Sequence, residues 1–340
     1  MLTDSQGVLD KTSLSRIVDQ LAQLKRSGYD VVLVSSGAMG AGKNLLKTTK
    51  RLTNISEKQF YAAIGQPHLI NQYSSLLSKH SLICAQVLAT KEDFRDKSHF
   101  FNMRNCLETL LHDNVIPIIN ENDVVALSEL TFTDNDELAG LVTSMIDAER
   151  LVILSSVDGV LDANGKTISE ISLNTLDDYR GVITTDKSEA GRGGMVTKFA
   201  IAKKLARQGV EVIIANGTKD TIIENILNGT AACTRFVPGK KQPNAKRRIA
   251  HSENLIHGSE YINEPAVKIL SDESTASSLL LVGVTRLEGE FEKGDVIEIN
   301  GPANNRIGYG ISQYSHDDAR TLVGHKNVKP LIHYDFLFIE

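Results

Sequence analysis

Up to Asn216 the chain repeats one pattern, a short apolar run rich in β-branched residues that ends in an abruptly polar turn. Residues 31–34, 83–88, 115–119, 151–154 and 210–215 are such runs. Their near-continuous apolar character is that of strands buried on both faces of a parallel sheet. Between them, apolar positions recur at helical spacing. Leu14, Ile17, Leu21 and Leu24 line one helix face, and Leu138, Leu141, Val142 and Met145 line another. Residues 56–79, 100–111 and 200–208 read as further helices, the first kinked at Gly65-Gln66-Pro67 by its proline. Strands alternating with helices predict a three-layer α/β/α sandwich with a mainly parallel sheet and right-handed crossovers. Asp162-Ala163-Asn164-Gly165 reads as a hairpin turn.

Near Phe236 the pattern changes. Pro238-Gly239-Lys240-Lys241-Gln242-Pro243-Asn244 is a polar linker, followed by basic Lys246-Arg247-Arg248. Residues 279–282, 296–299, 306–311 and 331–339 are short β-like runs, punctuated by Glu292-Lys293-Gly294-Asp295 and Asn300-Gly301-Pro302. Close spacing of this kind predicts a small, mostly-β barrel. The expected organisation is an α/β domain over residues 1–238, a linker over 239–257 and a β domain over 258–340.

Candidate chemistry gathers where the apolar strands end. After residues 115–119 comes Asn120-Glu121-Asn122-Asp123, and a little later Thr133-Asp134-Asn135-Asp136. Ligands of open α/β sheets bind outside the carboxyl ends of strands, where this cluster falls. Asp134 reads as a helix N-cap, which puts Asn135 and Asp136 in a first turn whose amides and dipole favour anions. Carboxylates and carbonyl oxygens are also the hard ligands that Mg2+ prefers. The cluster therefore points to a metal–phosphate and a polar small molecule, or else to ordinary loop and cap residues. After residues 31–34, the small residues of Ser35-Ser36-Gly37-Ala38-Met39-Gly40-Ala41-Gly42 allow close approach of backbone amides to a ligand, or simply a tight turn. Their glycines match neither the dinucleotide fingerprint nor the full P-loop signature. A second glycine-rich loop, Gly191-Arg192-Gly193-Gly194-Met195-Val196-Thr197-Lys198, opens a helix, with Lys198 either reaching a phosphate or standing as a solvated lysine after a flexible linker.

Composition narrows the function classes. At 340 residues, with 41% hydrophobic content, the chain can bury a two-domain core. A net charge of -5 favours neither nucleic acid nor membrane as a partner. The region 239–340 carries 12 Lys+Arg against 14 Asp+Glu, a net of -2, whereas an RNA-binding module carries a basic face. Cys84, Cys106 and Cys233 are odd in number and lack metal spacing, so neither a disulfide framework nor a metal site is expected. The sequence shows no signal peptide, and no apolar run approaches the roughly 18 residues of a membrane span, which points to a cytoplasmic protein.

Four motifs occur in a telling order: Val34-Ser35-Ser36-Gly37-Ala38, Ile118-Ile119-Asn120-Glu121-Asn122-Asp123, Asp134-Asn135-Asp136-Glu137-Leu138 and Gly193-Gly194-Met195-Val196-Thr197-Lys198. Together they resemble the glutamate 5-kinases of the amino acid kinase family. Tyr261-Ile262-Asn263-Glu264-Pro265-Ala266, Phe291-Glu292-Lys293-Gly294-Asp295 and Gly308-Tyr309-Gly310-Ile311 resemble the PUA domain joined to many of them. The resemblance covers nearly the whole chain. It implies ATP, with Mg2+, phosphorylating the side-chain carboxylate of L-glutamate to L-glutamyl 5-phosphate, the first step of proline synthesis. It also implies feedback inhibition by L-proline and a homo-oligomer, dimer or tetramer.

Position by position, the resemblance implies that Ser36, Gly37, Asn120, Asp123 and Asn135 bind the substrate. It implies that Ser155, Ser156 and the loop Arg192, Gly193, Gly194, Met195, Val196, Thr197 and Lys198 bind the nucleotide. Lys198 matches the lysine that neutralises the moving phosphoryl group, and Asp136 the aspartate that holds the active-site lysines. Such transfer needs positioning and charge neutralisation, without a covalent nucleophile. The chain departs from the family where Ser155-Ser156 replaces Thr-Asp. It departs again where Met1-Leu2-Thr3 stands without the family's first strand and Lys-x-Gly-Ser/Thr-Ser turn, and the expectation is a sequence that begins late. Two other readings stay open at this point. One is a sister kinase of N-acetylglutamate, aspartate or carbamate, and the other is a catalytically impaired regulatory or RNA-associated protein.

Overall fold

Helix α1 (Lys11–Arg26) begins where Asp10 caps it, accepting from the Thr12 N–H at 2.9 Å and from the Ser13 hydroxyl at 2.6 Å. The structure, a computed structural model, describes residues 2, 9–46, 53–126, 132, 134–175, 194–240, 256–272 and 277–339. It divides the chain into two units, Met1–Lys241 and Gln242–Glu340. Most of the linker expected over 239–257 lies outside the described residues.

In the first unit, α1 is followed by β1 (Leu33–Val34), α2 (Ala38–Leu45), α3 (Asn54–Ser78), β2 (Cys84–Ala89), α4 (Lys91–Arg95), α5 (Lys97–His112), β3 (Ile116–Glu121) and α6 (Asn135–Met145). The strands form a parallel sheet in the order β1-β3-β2, with Leu33 opposite Ile118 and Cys84 opposite Ile116. All of β3 is buried, as a central strand must be. Its side chains alternate between two cores. Ile116 and Ile118 pack with Leu14, Tyr73 and Leu77 on one face, while Ile119 packs with Leu107, Leu138 and Met145 on the other. That alternation makes the helix–sheet–helix layering, with each fully buried aliphatic side chain worth about 1.5–3 kcal/mol. The expected kink does not end α3, which runs on through Pro67 as one helix.

Helices α2 and α3 cross in close backbone contact. A Cβ on Gly65 would lie 1.7 Å from the Ala38 carbonyl oxygen, and one on Gly42 would lie 2.1 Å from that of Tyr61.

A second sheet of this unit comprises β4 (Arg150–Ser155), β5 (Glu170–Ile171), β6 (Glu211–Asn216) and β7 (Cys233–Phe236), with helices α7 (Met195–Arg207) and α8 (Ile222–Leu227). Its order is β4-β6-β7-β5. The β4–β6 pair is parallel, with Ser155 opposite Asn216, whereas β7 runs antiparallel to β6. Val212 and Ile214 pack against Phe199 and Leu205 of α7, while Ile213 and Ala215 pack with Ile222 of α8. The turn at Asp162 forms as expected: Leu161 and Thr167 bridge antiparallel, the Asp162 carboxylate accepts the Asn164 and Lys166 N–H groups, and Gly165 sits at φ 76°. At the amino ends of β4 and β6, Glu211 is held by Arg150 and Arg235.

The second unit holds β8 (Ile256–Ile262), α9 (Glu264–Leu270), β9 (Val284–Gly289), β10 (Val296–Asn300), β11 (Arg306–Ile311), α10 (His316–Leu322) and β12 (Leu337–Ile339). The sheet order is β12-β11-β10-β8-β9, with β8 and β10 parallel and the other pairs antiparallel. Residues 279–282 are not a full strand. Leu279 makes a single bridge to Ile332, and Leu281–Gly283 is a 3-10 turn. The alternation that suggested a strand is real, since Leu279 and Leu281 are buried while Leu280 and Val282 are exposed. Of residues 331–339, only Leu337–Ile339 pairs as a strand.

Glu260 of β8 is fully buried, and neither carboxylate oxygen has a hydrogen-bond partner. Burial alone raises its carboxyl well above the ordinary glutamate range. The folded state thus keeps a proton that the unfolded chain has released, so stability is greatest below the unfolded value of 4.5 and falls as pH rises above it. Glu260→Met should therefore stabilise this unit by about 1–3 kcal/mol at neutral pH, with the gain fading in acid. Hydrogen exchange of the β8–β10 amides across pH measures this; equal protection in both proteins at pH 7 would refute it.

Candidate active site

The sites singled out from sequence converge on the carboxyl ends of the strands in the first unit. Where β1 ends, Ser35 N–H donates to the Ile119 carbonyl at 2.9 Å, and the Ser35 hydroxyl pairs with the buried Tyr73 hydroxyl at 2.8 Å. Burial raises the Tyr73 phenol, which stays neutral. This anchors the turn that leaves Ser36 exposed and places Gly37 at the start of α2, with φ 105°. Only glycine adopts that angle without strain.

At the end of β3, buried Asn120 accepts the Glu121 N–H and the Asn135 side-chain amide, the latter at 3.4 Å. The same Asn135 amide donates to the Ser35 carbonyl at 2.8 Å, so the ends of β1 and β3 and the head of α6 are tied together. Asp134 caps α6 as the sequence predicts, accepting the Glu137 N–H at 3.0 Å through Oδ1. Its Oδ2 is buried without a partner, and burial, followed by the Asp136 charge, pushes the carboxyl up. Behind this end of the sheet lies a cavity of about 10 Å³ between Ser35, Gln66, Tyr73, Gln86 and Asn120. Leu69, Ile70 and Ile118 complete its lining, and its volume is about that of one water. A wider opening of about 340 Å³ sits beside Asn122 and is lined by Leu88, Thr90, Asp93 and Val125.

Lys198, in the first turns of α7, donates to Asp136 Oδ2 at 2.6 Å. The pair joins the two halves of the site, because α6 follows the first sheet and α7 packs on the second. Gly194 is the N-cap of α7 and supplies no side-chain cap; its carbonyl accepts the Thr197 N–H at 3.1 Å, which leaves the amides of Met195 and Val196 at the positive end of the helix dipole. Arg192 and Gly193 lie outside the described residues. Ser155 ends β4 with its carbonyl accepting the Gly217 N–H at 2.9 Å, and exposed Ser156 follows.

The glycine run after β1 is used for packing. Gly37 and Gly42-Lys43 have P-loop spacing, but Asn44 replaces the hydroxyl residue that completes it. Gly42 lies inside α2 against Tyr61, and Lys43 pairs with Glu57 at 3.2 Å.

Sequence reasoning missed three charged or polar participants. Lys58 of α3 bridges Glu121 at 3.0 Å and Asp123 at 2.8 Å. Just after the Ser155-Ser156 turn, Lys219 and Asn216 hold Asp158 at 2.8 Å and 3.1 Å and keep its carboxyl low. No local signal marks them, although Asn216 could have been found as the polar end of an apolar run. Among the described residues no group of three His, Cys, Asp or Glu is arranged to hold a metal ion, and no helix is long and apolar enough to cross a membrane.

The amino acid kinase family matches residues 1–216, and the PUA domain matches residues 260–334. A glutamate 5-kinase of Bacteroides thetaiotaomicron is 42% identical over 346 residues, covering 100% of this chain and 96% of its own length. That of Chlorobaculum tepidum is 44% identical over 342 residues, covering 100% and 94%. That of Geobacter sulfurreducens is 36% identical, covering 96% and 88%.

Proposed function

The chain belongs to the amino acid kinase family, and from that premise we propose that it is an ATP-dependent kinase of L-glutamate. The side-chain carboxylate oxygen of glutamate attacks the γ-phosphorus of ATP, the bond to the β-bridging oxygen breaks, and ADP leaves with its electron pair. The product is L-glutamyl 5-phosphate, the first intermediate on the way to proline. The observation that carries this reading is the Asp136–Lys198 pair, which sets an ammonium group between the polar ends of β1 and β3 and the open amino end of α7.

The attacking carboxylate is already ionised at neutral pH, so the protein needs no general base. Lys198 neutralises charge on the transferring phosphoryl group, and Asp136 fixes its ammonium in place. The open amides at the head of α7, those of Met195 and Val196, meet the phosphates with the Lys198 side chain, and the Ser155-Ser156 turn meets the nucleoside. Ser36, Gly37, Asn120 and Asn135 orient the acceptor, and Asp123 receives its α-ammonium group.

The donor set suits Mg2+ carried by nucleotide phosphates. Such an ion takes one or two carboxylates rather than a full protein cage. Asp134, with Oδ2 buried and unpartnered, is the residue that would hold it, and Mg2+ would supply charge neutralisation across the phosphates. The family resemblance further supports L-proline as a feedback inhibitor, a homo-oligomer, and a division into a kinase domain over residues 1–238 and a PUA-like domain over 258–340.

The test is formation of glutamyl hydroxamate from L-glutamate, ATP, Mg2+ and hydroxylamine, compared with N-acetyl-L-glutamate and L-aspartate as acceptors. Product with L-glutamate is the expected result. Product only with another acceptor would retain the kinase and overturn the substrate.

A further inference from the structure

Phosphoryl transfer, as derived above, makes no use of Lys58, a half-buried cation of α3. Lys58 Nζ lies 3.0 Å from Glu121 Oε2 and 2.8 Å from Asp123 Oδ1, with the two carboxylate side chains only 9% and 10% exposed. The other Glu121 oxygen accepts the Phe132 N–H at 2.9 Å. Two more residues of α3 hold the same turn: Gln59 donates to the Val124 carbonyl at 3.0 Å, and Gln66 to the Glu121 carbonyl at 3.3 Å. One helix thus grips residues 121–124 at three points, and only Lys58 does so with charge.

The arithmetic of that charge suits the acceptor. One ammonium between two carboxylates leaves a net of minus one, the complement of a single α-ammonium group. Without Lys58, two nearly buried carboxylates would face each other, and such a pair either repels or takes up a proton. Burial already pushes the Asp123 carboxyl up, against the pull of Lys58.

We propose that Lys58 is a positioning residue for the acceptor, setting the Glu121–Asp123 pair at one net negative charge and holding Asp123 to receive the α-ammonium group of a free amino acid. The proposal rests on the glutamate kinase reading and deepens it. It predicts selection against N-acylated acceptors, whose neutral nitrogen would leave a desolvated carboxylate without its counter-charge.

Steady-state kinetics with L-glutamate and ATP varied separately test it. Lys58→Met should raise KM for L-glutamate about 10–100-fold, the worth of a charged hydrogen bond, and leave KM for ATP near its original value. Lys58→Arg, which keeps the charge, should stay much closer to the wild type. Adding Glu121→Gln to Lys58→Met resets the net charge to minus one and should recover most of the lost affinity. A double variant no better than the single one overturns the proposal, because the loss would then be one of packing. Equal losses in both KM values overturn it as well. Should Lys58→Met fail to fold, the isosteric Glu121→Gln decides: it takes the net charge to zero, so an unchanged KM for L-glutamate refutes the idea. Failure of the underlying function shows separately, as a wild-type protein that makes no glutamyl hydroxamate.

Discussion

Lys198→Met lowers kcat by about 10²–10³-fold, the usual cost of removing one preorganised group aimed at developing charge. The side chain is only 13% exposed, and its Nζ lies 2.6 Å from Asp136 Oδ2. Bulk water therefore does little to replace it. The loss should appear in kcat rather than in KM for L-glutamate, because the charge that Lys198 meets grows during transfer and does not belong to the bound acceptor. Asp136→Asn should cost less, since the ammonium survives but loses its tether. Single-turnover measurements with ATP in excess separate the chemical step from product release. A loss below about tenfold, well short of the usual range for such a group, would remove Lys198 from this role.

The second large effect is structural. Gly65→Ala should destabilise the first unit by about 3 kcal/mol or more, at the upper end of overpacking costs. The three nearest atoms that the new methyl group meets are all backbone: Ala38 O at 1.7 Å, Gly42 N at 2.6 Å and Ala38 C at 2.8 Å. No rotamer change relieves these contacts, so α2 and α3 must separate. The sign makes the test sharp, because glycine to alanine inside a helix ordinarily gains about 0.5–1 kcal/mol. Gly229→Ala is the control. Gly229 has open space around it but φ 71°, so its cost is conformational and near 1 kcal/mol. Urea denaturation of both variants measures the difference, and a Gly65→Ala midpoint at or above the wild type would refute the contact argument. Activity should fall along with stability, because α2 starts at Gly37 in the acceptor turn.

Much of this was legible in the chain, and the reasons are specific. The run before Asn120 is apolar and β-branched because β3 is buried on both faces, and the switch to polar residues marks where it leaves the sheet. Asp134 announced α6 because an N-cap carboxylate satisfies an amide that the helix cannot. Other features left no local trace. Lys58 reaches its partners across 63 residues of chain, and no spacing rule spans that distance. β8 was missed because Glu260 occupies an inward position where the alternation demands an apolar side chain. β9 was missed because its residues after Val284 are largely exposed. Residues 279–282 misled in the opposite sense: two buried leucines between exposed neighbours have the period of a strand, yet the chain turns at Gly283. The antiparallel entry of β7 is likewise a matter of connection, not of local composition.

Among the described residues, the residues proposed for the acceptor hang from the sheet of β1, β2 and β3, and those proposed for the nucleotide from the sheet of β4 to β7. They meet along α6 and α7, where a Cβ on Gly140 would come within 3.0 Å of Ile201 and where Asp136 holds Lys198. On the proposed function, the chain would own two selectivities that can be altered one at a time. Exchanges around Asp123 would redraw which acid is accepted, and exchanges around Ser155 would redraw which nucleotide is spent. The seam between the helices is common property, and a change there would slow every pairing of donor and acceptor alike.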